Sequence, residues 1–440
     1  MNYSILLDVV GLEQKHLDSG LLPNIAKVTE NGEIAKLEPT FPAVTSTVQS
    51  SILSGKYPRE HGIIANGLYD RSTFNVSFWE QSSSLVQTQR IWDSVKQENT
   101  KKTAVLFWQN TMYANSDIVV TPRPIHQDDK MVMWCYSKPV GYYEKLKEKF
   151  GEFNLASYWG PFASPKSSEW IANAAEYTLE SERPNFLFVY IPHVDYSAQR
   201  FGKGAAQVRD DLKKADEIVG RLVQKVTNLG ILDETQFVIL SEYAFNDVNG
   251  AVPLNLVLRD AGLLSIRTIQ EKEYIDFEYS KAFAMVDHQV AHIYIKKGHE
   301  KETRSVLETT TSGVDMILDS NGKKDLRIDH ERSGELIAVA AKDKWFSYYW
   351  WYDEGKAPDF ARKVDIHRKP GYDPVELFVD PKTKSIPFDT SLVKGSHGRP
   401  VNLQTDEGHA FYGSSKKHGI VSESGSAKCV DIIKCLLDAQ

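Results

Sequence analysis

The sequence predicts an α/β protein: a mostly parallel central sheet flanked by helices, interrupted by a smaller α+β lobe. Three observations predict it. Short runs that are apolar throughout recur over about the first 250 residues, as strands covered on both faces require. Helical patterns separate those runs. Beyond about residue 250 the pattern changes to alternating segments rich in Val, Ile, Tyr and Trp, which suits antiparallel strands.

In chain order, YSILLD (3–8) reads as the first buried strand and LPNIAKVTE (22–30) as a helix. TAVLFW (103–108), NFLFVYI (185–191) and QFVILSE (236–242) read as further parallel strands. Between them, SEWIANAAEYTLES (168–181) and VRDDLKKADEIVGRLVQKVTNLG (208–230) carry helical spacing, with Asn228 and Gly230 as the stop signal of the second. FAMVDHQVAHIYIKK (283–297) and ELIAVAAKDKWFSYYWWYD (335–353) read as antiparallel strands, the second turning at AKDK. AKCVDIIKCLLDA (427–439) reads as a closing helix packed back on the core. The expected organisation is a core of residues 1–250 and 391–440 with an inserted lobe of 251–390.

Composition narrows the function. The 440 residues are 41% hydrophobic and 25% charged, as in ordinary globular proteins. A net charge of −7 argues against binding a nucleic-acid polymer. No apolar run reaches the roughly 18 residues that a membrane span needs. The start, MNYSILLDVVG, lacks the basic start and cleavage site of a signal peptide. Cys135, Cys429 and Cys435 are too few for a disulfide framework. A cytoplasmic setting is the expectation.

Parallel sheets carry sites at the carboxyl ends of their strands, which singles out Asp8, the segment after Ile191, and Glu242. FPAVTSTVQSSILSG (41–55) adds a cluster of hydroxyls. Ser46 and Gln49 have capping-box spacing, so a helix is expected to begin there. Thr45 is then either a surface residue ahead of the helix or a nucleophile in its positive end-field.

With Asp8 closing the first strand, PTFPAVTSTVQSSILSGKYPREHGIIANGLYD (39–70) resembles the nucleotide pyrophosphatase/phosphodiesterase branch of the alkaline phosphatase superfamily. The resemblance implies an alkaline-phosphatase-like core and a metal-dependent hydrolase of phosphate esters working through a phospho-threonine intermediate. It makes Thr45 the nucleophile and Asn66 the donor to a phosphoryl oxygen, with His61 a structural landmark. It also implies two divalent metal ions, held by Asp8, Thr45, Asp195, Gln199, Glu242 and His397. The family has histidines where Gln199 and Tyr243 stand here. Zinc is the family's metal, but oxygen-rich donors suit manganese or magnesium better. His193 is a candidate to replace the histidine missing at Gln199, and Tyr243 a rarer candidate ligand.

Two further clusters are candidates. VDHQVAH (286–292) offers Asp287, His288 and His292; on a strand the two histidines would share a face, and His292 also suits a plain sheet position. VDIHRKPGYDP (364–374) offers Asp365 and His367 as metal or substrate contacts, and Arg368 and Lys369 as cations for substrate charge. WFSYYWWYD reads as core or as a stacking surface. The expected partner is a small phosphate or phosphonate ester. Phosphonoacetate-hydrolase-like activity and phosphomonoesterase activity are the alternatives within hydrolysis. A metal-depleted binding protein is the alternative of another class.

Overall fold

The computed structural model describes residues 2–97, 101–127, 131–310 and 312–438. Its centre is a nine-stranded sheet. Six of those strands and one helix come first in the chain: β1 (Tyr3–Val9), α1 (Pro23–Thr29), β2 (Glu33–Glu38), β3 (Thr103–Leu106), β4 (Ile118–Pro122), β5 (Cys135–Lys138) and β6 (Phe186–Ile191). β7 (Thr235–Leu240) completes the parallel set.

The lobe sheet follows with β8 (Ala282–Asp287), β9 (Val290–Ile295), β10 (Val314–Leu318) and β11 (Leu336–Ala340). The chain then returns to the large sheet with β12 (Ala410–Ser414) and β13 (Ser426–Lys428). The order across that sheet is β13-β2-β12-β7-β1-β6-β3-β4-β5. β7, β1, β6, β3 and β4 run parallel, and β12 and β5 antiparallel to their neighbours. The four central apolar runs are buried except at Tyr3, the first residue of β1, which is why they show no alternation.

The helices that matter for the site are α2 (Thr45–Ser54), α3 (Lys166–Glu182), α4 (His193–Phe201) and α5 (Ala206–Asn228). In α5, Val208, Leu212, Ala215, Val219, Leu222 and Val226 form one buried stripe against α1, α3 and α4. It ends where Gly230 adopts φ +69°. All ten residues of α2 are buried, and Gly55 closes it at φ +65°. Among the described residues no helix is long and apolar enough to cross a membrane.

Three local expectations change. The α2 helix starts at Thr45, after the extended Val44, and no capping box forms. Ser46 and Gln49 give their polar groups to the site instead. After β11 the chain does turn at 341–344, but Trp345–Phe346 pairs in parallel with Ala251–Val252 and does not fold back on β11. Trp345 fills a separate cluster with Val248, Val375 and Val393, and Tyr348 to Trp351 are packed in the lobe core without strand pairing. At the end of the chain, β13 and a short 3-10 turn occupy 426–431, and the helix covers only Ile432–Asp438. Ala439 lies outside the described residues.

The lobe sheet, in the order β8-β9-β11-β10, is antiparallel throughout. Its apolar core also takes in Phe41, Ile64, Tyr69, Val76 and Phe78 from the first part of the chain. The β8–β9 hairpin is tied to the main core where Gln289 N–H donates to the carbonyl of His397 (2.9 Å). Gly371 lets the following turn press onto β8: a Cβ there would lie 2.6 Å from Tyr348 Cβ and 2.8 Å from Val286 Cγ2. Tyr372 is thereby brought under the hairpin and into the site.

Candidate active site

Three neighbouring parallel strands deliver their acids to one end of the sheet. Asp8 is next to last in β1, Asp195 lies in the first turn of α4 directly after β6, and Glu242 follows two residues beyond β7. Asp8 and Glu242 are fully buried and Asp195 is 8% exposed. Thr45 joins them from the N-terminus of α2.

The hydroxyls of Thr45 and Tyr243 are 3.2 Å apart, and the Tyr243 hydroxyl donates to Asp195 Oδ1, also at 3.2 Å. Gln199 Nε2 donates to Asp195 Oδ2 (2.6 Å), and the Tyr372 hydroxyl donates to Gln199 Oε1 (2.8 Å). On the other side, Gln49 Nε2 donates to Asp8 Oδ2 (3.0 Å), while Gln49 Oε1 accepts from the Gln109 N–H (2.7 Å). The Tyr190 hydroxyl donates to Glu242 Oε1 (3.2 Å).

Asn66 is held from both ends. Its Oδ1 accepts from the Ser46 N–H (2.9 Å), and its own N–H and Nδ2 donate to Asp287 at 2.7 and 3.1 Å. One Nδ2 hydrogen is left over for a ligand. Asp287 also pairs with His288 Nδ1 at 2.7 Å. His288 sits in the hairpin turn at φ +58°, with its ring against Tyr372 (3.6 Å) and His397 (3.9 Å). His397 donates from Nδ1 to the Ala43 carbonyl (2.7 Å), and Tyr243 stacks flat on its ring at 3.5 Å.

Burial dominates the electrostatics. It pushes the carboxyls of Asp8 and Asp195 up to about 7, and Asp287 up to about 6. Glu242 is raised well above the usual carboxylate range by burial first and by the charge of Asp8 second. His288 and His397 are held neutral by the same desolvation. Among the described residues no lysine or arginine pairs with Asp8, Asp195 or Glu242; the ion-pair partner nearest to Asp195 is the neutral His397, 3.9 Å away.

Thr45 opens into a pocket of about 220 Å³. Its walls are aromatic, from Trp79, Tyr158, Trp159, Tyr196 and Tyr372, with Met131, Leu155, Val364 and Ile366 filling the remaining apolar surface. Among the described residues no lysine or arginine lines it.

The structure therefore brings together Asp8, Thr45, Asn66, Asp195, Gln199, Glu242, Tyr243, His288 and His397. Asp365 and His367 reach the pocket lining from a loop and not from a strand, and His367 Nδ1 donates to the Phe78 carbonyl (3.2 Å). The other candidates lie elsewhere. His193 turns into the helix layer, where its ring bonds to Ser168 and to the Asp211 carbonyl, each at 2.8 Å. Arg368 does not line the pocket and pairs with Asp359 and with Asp365. Lys369 is buried between Asp373 (2.7 Å) and Glu376 (2.6 Å), and neither cation lines the pocket.

His292 points away from His288 and bonds to the Ile64 carbonyl (3.1 Å), because His288 has left the strand. His61 is buried between Ser51 (2.9 Å) and the Ile63 N–H (3.1 Å), as a structural residue. WFSYYWWYD is core. Sequence reasoning missed Gln49, Tyr190 and Tyr372. Gln49 gave a signal at the right place but read as a cap, and the tyrosines gave none.

Whether metal ions fit depends on which donors are free. Asp8 Oδ1 and Glu242 Oε2 are both buried without a hydrogen-bond partner. Their carboxyls face one another, and the Thr45 hydroxyl reaches Glu242. Buried polar atoms are rarely left unsatisfied, and a divalent cation fits this trio of hard oxygen donors. Asp195, Gln199 and His397 fit one poorly. Both Asp195 oxygens and the Gln199 amide oxygen are already engaged, and only His397 Nε2 is unpartnered. Among the described residues no group of three or more His, Cys, Asp or Glu side chains is arranged to hold a metal ion.

Comparison with known proteins agrees with this architecture. The model of the type I phosphodiesterase/nucleotide pyrophosphatase family matches residues 4–373. A pyrophosphatase/phosphodiesterase of Schizosaccharomyces pombe, itself uncharacterized, is 23% identical over 54% of this chain and 44% of its own length. Ectonucleotide pyrophosphatase/phosphodiesterase family member 1 of Rattus norvegicus is 27% identical over 54% of this chain and 23% of its own. The match thus spans less than half the length of these curated relatives.

Among solved structures, phosphonoacetate hydrolase from Sinorhizobium meliloti, in complex with phosphonoformate, superimposes with a TM-score of 0.65 at 15% identity. It covers 99% of this chain and 95% of that one. An inactive variant of murine ectonucleotide pyrophosphatase/phosphodiesterase 5, in complex with AMP, gives 0.63 at 12% identity, covering 100% of this chain and 95% of that one. At such identities these two speak for the fold alone. With the family model spanning the strand ends, α2 and the Asn66 loop, the chain belongs to the type I phosphodiesterase/nucleotide pyrophosphatase family.

Proposed function

We propose that the chain hydrolyses phosphoric esters that carry one negative charge and an apolar or aromatic ester group, with Thr45 as nucleophile. The observation that carries this reading is the placement of Thr45 in the first turn of a buried ten-residue helix, at a pocket lined by aromatic rings. The helix N-terminus favours an anion beside Thr45. The free Nδ2 hydrogen of Asn66 donates to a phosphoryl oxygen, and Asp287 fixes its direction. The Thr45 oxygen forms a bond to phosphorus as the bond to the leaving oxygen breaks, and the proton lost by Thr45 ends on that departing oxygen. Water then attacks the phospho-threonine, and Thr45 leaves and regains its proton. Asp8, Glu242 and Thr45 would hold a divalent cation, which when bound would supply positive charge that lowers the cost of the threonine alkoxide.

The substrate class follows from the walls. A monoester dianion or a carboxylated phosphonate brings a second negative charge, and no described cation lines the pocket to meet it. Rings stack well against Trp79, Trp159 and Tyr372.

The test is a panel of p-nitrophenyl phosphate, bis-p-nitrophenyl phosphate and p-nitrophenyl phenylphosphonate, assayed with manganese or magnesium present. The diester and the phenylphosphonate are expected to turn over faster than the monoester. A preference for the monoester contradicts the substrate class, and no turnover of any of them contradicts the activity.

A further inference from the structure

We propose that this centre takes one divalent cation per chain, at Asp8, Thr45 and Glu242, and that Tyr243 and Gln199 close the second position with a chain of hydrogen bonds. The inference deepens the hydrolytic reading of the same site.

The two halves of the centre differ in what their donors are doing. In the first half, two buried carboxyls face each other, each with one oxygen satisfied, by Gln49 or Tyr190, and one oxygen unpartnered. Among the described residues neither has a lysine or arginine partner. One divalent ion satisfies both open oxygens and balances both charges at once, and the Thr45 hydroxyl adds a third oxygen.

In the second half the hydrogen bonds run Tyr372 to Gln199, Gln199 to Asp195, and Tyr243 to Asp195. Each oxygen of Asp195 therefore already receives one proton donor from the protein. Gln199 turns its amide nitrogen to Asp195, and a nitrogen that carries two hydrogens has no lone pair to coordinate with. To offer its oxygen, the amide must flip, break its bond from Tyr372 and face a carboxylate oxygen. His397 Nε2 remains as one donor, and its ring is held between Tyr243 and His288. The Tyr243 hydroxyl thus stands beside both Thr45 and Asp195, as a neutral donor in the place of charge.

The prediction concerns ion count, so it can be read without turnover. The full chain, stripped with chelator and dialysed against manganese or magnesium, is expected to retain about one equivalent by elemental analysis and to give the paramagnetic resonance of an isolated Mn²⁺. Asp8→Asn and Glu242→Gln should each release that ion while circular dichroism stays unchanged. His397→Ala should keep it. The double variant Gln199→His with Tyr243→His should take up a second equivalent and give the signal of a coupled pair.

Two equivalents in the unaltered chain overturn the proposal, as does none. So does a single ion lost in His397→Ala but kept in Asp8→Asn. Hydrolysis with two ions bound sinks this inference and leaves Thr45 chemistry standing; one ion without turnover does the reverse.

Discussion

Asn66 shows at the scale of single residues how little of the site is left to chance. Both ends of its amide are fixed, by the Ser46 N–H and by Asp287, before any substrate arrives. Asn66→Ala is expected to lower kcat by roughly 10²- to 10³-fold, the usual cost of losing one preorganised donor. Asp287→Asn should act in the same direction through Asn66, with circular dichroism unchanged; steady-state kinetics on the aryl diester checks both. An Asp287→Asn enzyme with unaltered kcat would show that Asn66 does not need its clamp. Asp8, Thr45, Asn66, Asp195, Glu242 and His397 were legible in the sequence, because short motifs at strand ends carry them. Asp287 was visible only as part of a cluster. Its role, and that of Tyr372, depends on a hairpin and a turn meeting across the fold, and no local pattern encodes that.

At the scale of elements, the 364–377 segment builds one wall of the pocket around a buried charge cluster. Lys369 is 1% exposed between Asp373 and Glu376, Glu376 Oε1 accepts from the Asp365 N–H (2.9 Å), and its Oε2 accepts from the indole N–H of Trp159 (2.6 Å). Removing the cation leaves two carboxyls buried without their partner. Lys369→Met is therefore expected to cost about 3–5 kcal/mol in urea unfolding and to raise KM more than it lowers kcat, since Trp159 and the 364–367 loop line the pocket. A variant as stable as the parent removes Lys369 from this role. Sequence could see a dense run of acid and base here, yet not its direction: the charges face each other and not the substrate. The four central strands β1, β3, β6 and β7 were legible because burial on both faces leaves a plain apolar run, whereas β2, β4, β5, β12 and β13 of the same sheet were not read from the sequence. The 345–351 stretch was not, since the same aromatic composition serves a strand or an irregular core segment.

At the scale of the whole molecule, the fold holds acids in a region that disfavours their charge. Asp8 titrates near 7 in the folded, metal-free chain, against about 4 when unfolded. Between those values the folded chain keeps a proton that the unfolded chain has lost, so this group costs stability progressively as pH rises from about 4 to about 7. Buried neutral histidines such as His61 and His193 push the other way over much of that range, and a difference between two proteins removes them. In chelator the urea midpoint of Asp8→Asn should match the parent near pH 4 and exceed it increasingly up to about pH 7, then by a constant margin. A gap that shrinks as pH rises contradicts the burial account. The central claim is that Thr45 forms and breaks the bond to phosphorus. Thr45 is 4% exposed, and its hydroxyl lies 3.2 Å from that of Tyr243, so circular dichroism of Thr45→Ala is the control for its fold. The most direct measurement is the turnover of bis-p-nitrophenyl phosphate by Thr45→Ala against the parent chain, both folded and both loaded with manganese. The account predicts a loss on the order of 10⁴-fold or more; a rate within about tenfold of the parent, a barrier change of only about 1.4 kcal/mol, contradicts it.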